Sequence, residues 1–297
     1  MTGPIRFDDL WKSYGRKIAV AGLTFEVRAG EVVALLGRNG AGKTSAIKIL
    51  MGQLKPTLGR ALLYGEDSWK LPPMRRARVG YMTEGNRLDP WSTVEQMMHF
   101  TRAFYPNWNA EGVQRLQEHF RLPFKRRVGH LSNGERGQLA LVLALGADPD
   151  VLVLDDPMLG LDAVVRHEFF ETMAAVLTQR DRAVLFTSHI LDDVERVADR
   201  IIILKEGSML ADANLEDLRS RVRRYHLRLK DDLDIPTALP GLLSRRREGR
   251  GWSVVAADAE GLRALELESM EEESLSLEEI FVAMTANESM IRPVPIP

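Results

Sequence analysis

The sequence predicts an α/β fold with a mainly parallel central sheet, and three observations support this prediction. Short apolar runs at residues 31–36, 151–154 and 184–186 have the composition of strands that are buried on both faces. Helical segments alternate with these runs along the chain, as they do where helices connect parallel strands. Two of the runs lead into acidic or histidine side chains, as expected where parallel strands bring polar groups to one edge of a sheet.

A glycine-rich loop at residues 37–44 follows the first apolar run. Its sequence GRNGAGKT matches the phosphate-binding pattern G-x-x-x-x-G-K-[ST] at every specified position. A helical segment at residues 45–51 follows the loop and ends at Gly52. The backbone N–H groups of such a loop and the dipole of the next helix create an anion site. The sequence therefore predicts a P-loop fold that binds a nucleoside triphosphate, in which Lys43 reaches the β- and γ-phosphates and Thr44 binds Mg²⁺.

The overall composition narrows the class of protein. The 297 residues carry a formal net charge of -2, which gives no electrostatic support for nucleic-acid binding. There is no cysteine, so disulfides and thiolate metal sites are excluded. The longest apolar run, residues 139–147, is far shorter than the roughly 20 residues of a membrane-spanning helix, and residues 1–4 begin no signal peptide. We therefore expect a cytosolic protein that reaches a membrane only through a partner chain.

The strands near the N-terminus predict an antiparallel edge. Residues 5–7 and 23–27 alternate as strands, and residues 59–64 form another short strand. We predict that the first two strands are joined by a loop that carries Trp11, Tyr14 and Gly15. Tyr14 could stack on a nucleotide base or pack at the edge of a sheet, and the residues alone leave both interpretations open.

A helical subdomain is predicted at about residues 85–150, after a strand at residues 79–82 and a polar loop with Glu84. Ser92 is the predicted N-cap of its first helix, with Glu95 completing a capping box. The second helix covers residues 108–120. A polar loop at residues 131–135 opens a third helix, which is apolar on almost all sides and is therefore expected to be buried.

The ends of two central strands supply the candidate catalytic groups. Asp155 and Asp156 follow one strand, and His189 follows the other, so all three are expected at the same edge of the sheet. Hydrolysis of a nucleoside triphosphate requires charge neutralisation at the γ-phosphate and a positioned water molecule. Lys43, Mg²⁺ and His189 can provide the first, and Asp156 is the candidate for the second.

The chain changes character after about residue 220. We predict a main domain at residues 1–220 and a small α+β accessory domain at residues 221–297, with a disordered end at residues 293–297. The accessory domain has predicted strands at residues 225–229 and 252–256 and helices at residues 261–265 and 277–285. Its arginines cluster at positions 221, 223, 224 and 245–247, and Glu271, Glu272 and Glu273 are consecutive. These clusters could pair or could form solvated faces.

Taken together, the motifs resemble the ATP-binding subunits of ABC (ATP-binding cassette) transporters over about residues 5–220. The phosphate loop, the Glu84 loop, Leu-Ser-Asn-Gly-Glu at residues 131–135, the acidic strand end, Gly-Leu-Asp at residues 160–162 and Ser-His at residues 188–189 follow in that family's order. The small C-terminal domain and the sequence SLEEIFVAMT at residues 276–285 are similar to the ABC-2 type exporter ATPases.

The resemblance implies a role for each site residue. Tyr14 is implied to stack on adenine, Asp155 to hold Mg²⁺ through water, and His189 to contact the γ-phosphate. Glu84 is implied to sense the γ-phosphate, Mg²⁺ and the transmembrane partner, and Asp162 to link two nucleotide sites. Ser132, Asn133 and Gly134 are implied to cap the γ-phosphate bound by a second subunit. The remaining nucleotide-binding residues are those of the phosphate loop and the residue after it: Gly37, Arg38, Asn39, Gly40, Ala41, Gly42, Lys43, Thr44 and Ser45.

Four features depart from the family pattern. The first is the pair Asn133-Gly134 in the loop at residues 131–135, where the family usually has a different pair. Glu84 and Glu135 stand where glutamine is usual, and Asp156 stands where the family usually has a glutamate base. A carboxylate at position 84 can still accept a hydrogen bond from a metal-bound water, but it cannot donate one.

We therefore expect an ATPase that uses ATP and Mg²⁺, pairs with a second ATPase subunit and drives a separate transmembrane permease from the inner face of the membrane. The dimer could contain two identical chains or two different ones. The alternatives are a soluble ABC switch protein of DNA repair or translation, a small-molecule kinase, and a weakly active regulatory subunit of a heterodimer. The loop at residues 131–135 and His189, at the end of a central strand, argue against a kinase.

Overall fold

The structure, a computed structural model, describes residues 3–85, 87–177, 181–230, 234–236 and 239–286. Its strands are β1 (Ile5–Tyr14), β2 (Lys17–Val27), β3 (Val32–Gly37), β4 (Leu58–Leu63), β5 (Glu66–Asp67), β6 (Val79–Met82), β7 (Val151–Leu154), β8 (Ala183–Thr187), β9 (Arg200–Lys205), β10 (Ser208–Asn214), β11 (Arg223–Leu229), β12 (Leu242–Glu248), β13 (Gly251–Ala256) and β14 (Leu267–Ser274). Its α-helices are α1 (Lys43–Leu50), α2 (Pro73–Arg76), α3 (Val94–Arg102), α4 (Ala110–His119), α5 (Asn133–Gly146), α6 (Ala163–Leu177), α7 (Leu191–Val194), α8 (Leu215–Arg221), α9 (Glu260–Arg263) and α10 (Leu277–Ala286).

The central sheet has the order β10-β9-β3-β8-β7-β6. Its strands pair in parallel from β9 to β6, and β10 returns antiparallel to β9 at one edge. The residues of β3 alternate between two buried clusters, with Ala34 and Leu36 in one and Val33 and Leu35 in the other. Because both faces are covered, β3 is apolar at every position, as expected for a parallel strand. The predicted α/β fold with a mainly parallel central sheet is confirmed.

A separate antiparallel sheet with the order β2-β1-β4-β5 packs on one of these clusters. The expectation that Trp11 and Tyr14 lie in a loop is wrong, because β1 continues to Tyr14. Tyr14 pairs with Lys17 across a tight turn in which Gly15 has a φ of 58°, a left-handed conformation that glycine adopts easily. The turn therefore comes after the aromatic residues and places Tyr14 at the end of a strand.

The helical insertion between β6 and β7 contains α3, α4 and α5. The predicted N-cap of α3, Ser92 with Glu95, is wrong by one residue. Thr93 Oγ1 accepts a hydrogen bond from the Gln96 backbone N–H at 3.2 Å, and Gln96 Oε1 accepts from the Thr93 N–H at 2.9 Å. Ser92 instead donates its hydroxyl to Asp89 Oδ2. Both S/T-x-x-E/Q patterns were present, and in the structure the Ser92 hydroxyl is used by a local bond to Asp89, three residues earlier.

The C-terminal part of the chain forms a third sheet with the order β12-β13-β11-β14. Strands β12 and β14 were not predicted. Helix α10 contacts α7, and its residues Leu277, Ile280 and Met284 are buried in the same cluster as Val194 of α7. This segment therefore shares a hydrophobic core with the elements that follow His189. The proposed boundary at residues 220 and 221 stays a prediction, and the predicted disordered end at residues 293–297 lies outside the described residues.

Two of the charged clusters in this third sheet are paired. Arg223 Nε lies 3.2 Å from Glu272 Oε1, and Arg224 Nη1 lies 3.0 Å from Glu273 Oε2, across neighbouring strands. Of the two interpretations that the sequence left open for these residues, cross-strand pairing is the one that the structure shows. In the described part of the chain, no helix has both the length and the apolar character needed to cross a membrane.

Candidate active site

The phosphate loop joins β3 to α1 and depends on two glycines. A Cβ atom on Gly42 would lie 2.2 Å from the carbonyl oxygen of Ala19, and one on Gly37 would lie 2.7 Å from the carbonyl oxygen of Leu204. Gly42 also has a φ of 106°, which disfavours any other residue. As the residue before α1, Gly42 offers no side chain to cap the helix. The first N–H groups of α1 can therefore donate to a bound anion.

Lys43, the first residue of α1, points back into the loop. Its Nζ donates a hydrogen bond to the carbonyl oxygen of Gly37 at 2.5 Å. Burial lowers the pKa of Lys43, and the carboxylates of Asp156, Asp155 and Glu84 oppose this effect. The Lys43 ammonium therefore lies within electrostatic range of all three carboxylates that the sequence singled out.

A cleft of about 450 Å³ lies between the loop and the ends of the central strands. Eleven predicted site residues line it: Tyr14, Asn39, Gly40, Ala41, Gly42, Lys43, Thr44, Ser45, Glu84, Asp155 and Asp156. Gly37, Arg38 and His189 line a second cleft of about 580 Å³ on the other side of the loop. Residues 39–41 border both clefts, so the phosphate loop is the wall between them.

Lys17, Ala19 and Thr187 line the first cleft and were missed by sequence reasoning. Thr187 carried a usable signal, because it ends an apolar strand two residues before the predicted His189.

Asp155 is almost completely buried at the end of β7. Burial raises its pKa, and a hydrogen bond from the Thr187 hydroxyl at 3.0 Å opposes this increase, while Glu84 and Asp156 add to it. A cation in the cleft would compensate the buried charge, because an opposite charge favours the ionised carboxylate.

Asp156 has a left-handed backbone, with a φ of 48°. Its N–H donates to Thr187 Oγ1 at 2.7 Å. His189 Nδ1 lies 2.9 Å from Asp156 Oδ1 and 3.0 Å from Asp156 Oδ2. The neighbouring strand β8 and the residues after it therefore contact Asp156 at both its backbone and its carboxylate.

Tyr14 lies at the mouth of the cleft and is 50% exposed. Its hydroxyl is 3.4 Å from Ser45 Oγ, and Lys12 Nζ lies 5.1 Å from the centre of its ring. An exposed ring beside the phosphate loop offers a surface on which a nucleotide base can stack.

Four predicted site residues lie elsewhere. Ser132, Asn133 and Gly134 are at the start of α5, where Ser132 Oγ accepts from the Glu135 N–H at 3.1 Å and Glu135 Oε2 accepts from the Ser132 N–H at 2.8 Å. Asp162 caps α6, since its Oδ1 accepts from the N–H groups of Val164 and Val165 at 3.0 Å each. None of the four is among the residues that line either cleft beside the phosphate loop.

The starts of α5 and α6 lie side by side. A Cβ atom on Gly134 would lie 3.1 Å from a methyl group of Val165, so a larger residue at position 134 would push against α6. Ser132, Asn133 and Asp162 are exposed at this corner.

The oxygen ligands in the first cleft suit Mg²⁺. The Thr44 hydroxyl and the carboxylates of Asp155 and Glu84 are hard oxygen donors, which Mg²⁺ prefers. Among the described residues there is no group of three or more His, Asp or Glu side chains that could hold a metal alone. Mg²⁺ typically binds through one or two carboxylates together with substrate phosphates, so this sparse set fits the ion.

Comparison with known proteins identifies the family of the chain. The sequence pattern of the ABC transporter family matches residues 20–159, a range that contains the phosphate loop, Asp155 and Asp156. The chain is 40% identical over 214 residues to a Nod factor export ATP-binding protein I of Burkholderia orbicola (strain AU 1054), with 70% of each chain covered. It is 32% identical over 305 residues to the protein of that name from Rhizobium sp. (strain N33), covering 93% of this chain and 95% of the relative.

A solved structure of the ATP binding subunit of an ABC transporter has the same fold. It superposes with a TM-score of 0.67 at 29% identity, covering 73% of this chain and 92% of the solved chain. The chain therefore belongs to the ABC transporter family, in which it is an ATP-binding subunit and an ATPase.

Proposed function

We propose that this chain binds MgATP in the cleft beside the phosphate loop and hydrolyses it, as one of two ATPase subunits that power a membrane exporter. The observation that carries the proposal is the convergence of Lys43, Glu84, Asp155 and Asp156 on a single cleft, which the phosphate loop borders. This set provides one cation for the phosphates and three carboxylates for the metal and the attacking water.

The residues divide the work of phosphoryl transfer. The N–H groups at the start of α1 and the Lys43 ammonium neutralise phosphate charge. Thr44, Asp155 and Glu84 would hold Mg²⁺, which supplies further neutralisation of the β- and γ-phosphates when it is bound. Water attacks the γ-phosphorus, the bond to the β–γ bridging oxygen breaks, and ADP leaves with that bonding electron pair. The Asp156 carboxylate orients the water and accepts its proton.

His189 is placed to assist Asp156. Its Nδ1 is within hydrogen-bond distance of both carboxylate oxygens, so it restricts the rotation of the carboxylate. His189 also lines the second cleft together with Gly37 and Arg38, on the other side of the loop. The imidazole therefore contacts the Asp156 carboxylate and also borders the phosphate loop.

The corner formed by Ser132, Asn133 and Asp162 supports a dimer. It is exposed and lies apart from the residues that line the chain's own clefts. The N-terminus of α5 presents N–H groups and a helix dipole, which favour an anion. We infer that this corner caps the γ-phosphate held by a second subunit, as the resemblance of the loop to the family signature implies.

An exposed aromatic surface supports a transmembrane partner. Phe100 and Phe104 on the helical insertion are 61% and 62% exposed, and their rings contact each other edge to face at 5.0 Å. Trp91, just before the insertion's first helix, is 78% exposed. The exposed, adjoining rings of Phe100 and Phe104 form an apolar patch of the kind that marks interaction sites. We infer that a permease docks here and holds the ATPase at the inner face of the membrane.

The export function of the similar proteins supports export as the direction of transport.

Two measurements test the proposal. Purified chain should release phosphate from ATP, and the release should stop when EDTA removes Mg²⁺. Co-reconstitution in proteoliposomes with a permease encoded by a neighbouring reading frame should stimulate this activity. If calorimetry shows no MgATP binding, the nucleotide site is assigned incorrectly. If the neighbouring permease neither binds the chain nor stimulates it, the exporter assignment fails while the ATPase assignment stands.

A second candidate function is a weakly active regulatory subunit in a heterodimer. The observation that favours it is Asp156, whose side chain is one methylene shorter than the glutamate that is usual in the family. Mixing experiments with a second ATPase subunit separate the two functions. A regulatory subunit would bind ATP but hydrolyse it only at the partner's site.

A further inference from the structure

Thr187 connects the two neighbouring aspartates of the site. It is the last residue of β8 and is fully buried. Its Oγ1 donates a hydrogen bond to Asp155 Oδ1 at 3.0 Å and accepts one from the Asp156 backbone N–H at 2.7 Å. A hydroxyl has a single hydrogen, and the Asp155 carboxylate can only accept, so the directions of both bonds are fixed.

The bond to Asp155 restricts how that carboxylate can turn. Oδ1 accepts the hydrogen bond from Thr187, which disfavours rotation of the carboxylate away from this position. Side chains behind a metal ligand orient it in this way, and their loss commonly weakens metal binding by roughly 10- to 100-fold. Thr187 stands in this position relative to the carboxylate that is proposed to hold Mg²⁺ through water.

The bond to Asp156 holds an unfavourable backbone conformation. The φ of 48° lies in the left-handed region, which most L-residues adopt only at an energetic cost. Such a conformation persists only where the surrounding structure enforces it. Thr187 binds the N–H of Asp156 from the neighbouring strand, and His189 contacts its carboxylate from two residues further along the chain. The direction of the Asp156 side chain therefore depends on both residues.

We propose that Thr187 is a positioning residue for ATP hydrolysis, whose single hydroxyl orients the metal-binding carboxylate of Asp155 and the catalytic carboxylate of Asp156 together. This inference rests on the proposed function of the site. It predicts that metal binding and the hydrolysis rate are lost together when the hydroxyl is removed. If the hydroxyl had only a structural role, its removal would lower the stability of the fold. It would not selectively weaken metal binding and slow hydrolysis while leaving nucleotide affinity unchanged.

A pair of variants isolates the hydroxyl. Thr187→Val removes it with little change in shape, and Thr187→Ser keeps it while removing the methyl group. We expect Thr187→Val to lower kcat by about tenfold or more with KM for ATP within about threefold, which is the pattern of a lost transition-state interaction. The concentration of Mg²⁺ that gives half-maximal activity should rise by roughly tenfold or more. Thr187→Ser should stay within about threefold of the parent chain in all three quantities.

A readout without nucleotide separates this inference from the proposed function. Amide hydrogen exchange at Asp156 should be faster in Thr187→Val than in the parent chain and Thr187→Ser, because its N–H loses its acceptor. Thr172→Val is the matched control, since Thr172 is also buried and donates its hydroxyl to the carbonyl oxygen of Glu168 within α6. That control can change the melting temperature but should leave kcat and the Asp156 amide unaffected.

The outcomes are distinguishable. The inference is overturned if Thr187→Val keeps the parent kcat and Mg²⁺ dependence, if Asp156 exchange is unchanged, or if Thr187→Ser loses as much activity as Thr187→Val. An inactive parent chain with normal Asp156 protection would instead refute the proposed function, and with it the catalytic part of this inference.

Discussion

His189 Nδ1 lies 2.9 Å from Asp156 Oδ1 and 3.0 Å from Asp156 Oδ2. The imidazole therefore faces both oxygens of a carboxylate at the end of the neighbouring strand. The side chain of Asp156 is mostly buried, and that of His189 is 43% exposed. A motion that brings His189 to a γ-phosphate must either break these contacts or move the carboxylate that is proposed to orient water.

Lys43 tests nucleotide binding. We expect Lys43→Ala to weaken MgATP binding by roughly ten- to a hundredfold, since it removes a charged hydrogen-bond donor worth on the order of 1.5–3 kcal/mol. Isothermal calorimetry measures this change, and Lys55→Ala, at an exposed lysine outside the cleft, is the control. Unchanged MgATP affinity in Lys43→Ala would contradict this interpretation of the loop.

Substitution of Asp155 is expected to have opposite effects on stability and on Mg²⁺-dependent ATP binding. Burial raises its pKa in the folded chain, so ionised Asp155 destabilises the nucleotide-free fold at neutral pH. Asp155→Asn should therefore increase the free energy of unfolding at pH 7, and it should reduce Mg²⁺-dependent ATP binding by roughly 10- to 100-fold. Urea unfolding and calorimetry measure the two effects.

The stability gain of Asp155→Asn has a defined pH dependence. A raised folded pKa contributes stability that is present below the unfolded value of 3.8 and is lost as the pH rises through the folded pKa. The difference between variant and parent should therefore shrink as the pH falls from 7 toward 3.8, because the parent carboxyl becomes neutral. A difference that grows on acidification would show that burial of Asp155 is not its cause.

Ser132 tests the dimer. Trapped ATP should favour a dimer, and Ser132→Arg should block it, because the arginine adds bulk where the partner's γ-phosphate is proposed to lie. Ser220→Arg, which adds the same side chain at an exposed serine on α8 outside this corner, is the matched control and should dimerise normally. Light scattering with a non-hydrolysable ATP analogue measures the dimer fraction. An equal dimer fraction in Ser132→Arg and the parent chain would exclude this corner from the interface.

Phe100 and Phe104 test the permease surface. The double variant Phe100→Ser/Phe104→Ser should lose permease-stimulated ATPase activity by roughly tenfold or more, since hot-spot aromatics dominate such interfaces. Basal activity should be unchanged, because neither ring lines the nucleotide cleft. Met74→Ser, at an exposed apolar residue on α2, is the control. Full stimulation of the double variant would place the docking surface elsewhere.

The sequence was most informative where strands are buried on both faces. The central strands are apolar at consecutive positions, so their existence, their order relative to the motifs and the carboxylates that follow them could be predicted. Strands β12 and β14 could not, because they lie at the two edges of the third sheet and carry charges, Arg245 to Arg247 in one and Glu271 to Glu273 in the other. Charged edge strands prevent pairing with other chains, and they have the composition of solvated loops.

The residues of the site could be predicted from the sequence, but their conformations could not. The motifs named Asp155, Asp156 and His189, whereas the left-handed φ of Asp156 and its bond to Thr187 depend on contact between two residues that are 31 positions apart in the sequence. The substitution of glutamate for glutamine at position 135 also has a local explanation in the structure. Glu135 closes the capping box with Ser132, and its Oε1 lies 3.0 Å from Arg126 Nη1.

The conformation of Asp156 bears on its departure from the family. Aspartate and asparagine adopt left-handed backbone angles more readily than most residues. A catalytic base must lie within about 2.6–3.2 Å of the proton that it accepts, so a stem shorter by one methylene matters. The tight contacts from Thr187 and His189 hold the shorter side chain in one direction. We therefore expect slow but real hydrolysis.

Asp156→Asn and Asp156→Glu test this assignment together. Asp156→Asn should abolish turnover while MgATP still binds and the dimer still closes, because asparagine keeps the backbone conformation but cannot accept the proton. Asp156→Glu should keep or raise the rate, since it restores the usual length, and each tenfold gain corresponds to about 1.4 kcal/mol of barrier. Single-turnover phosphate release measures both rates, and calorimetry provides the binding control. If Asp156→Asn hydrolyses ATP as fast as the parent chain, another group orients the water and Asp156 only positions His189.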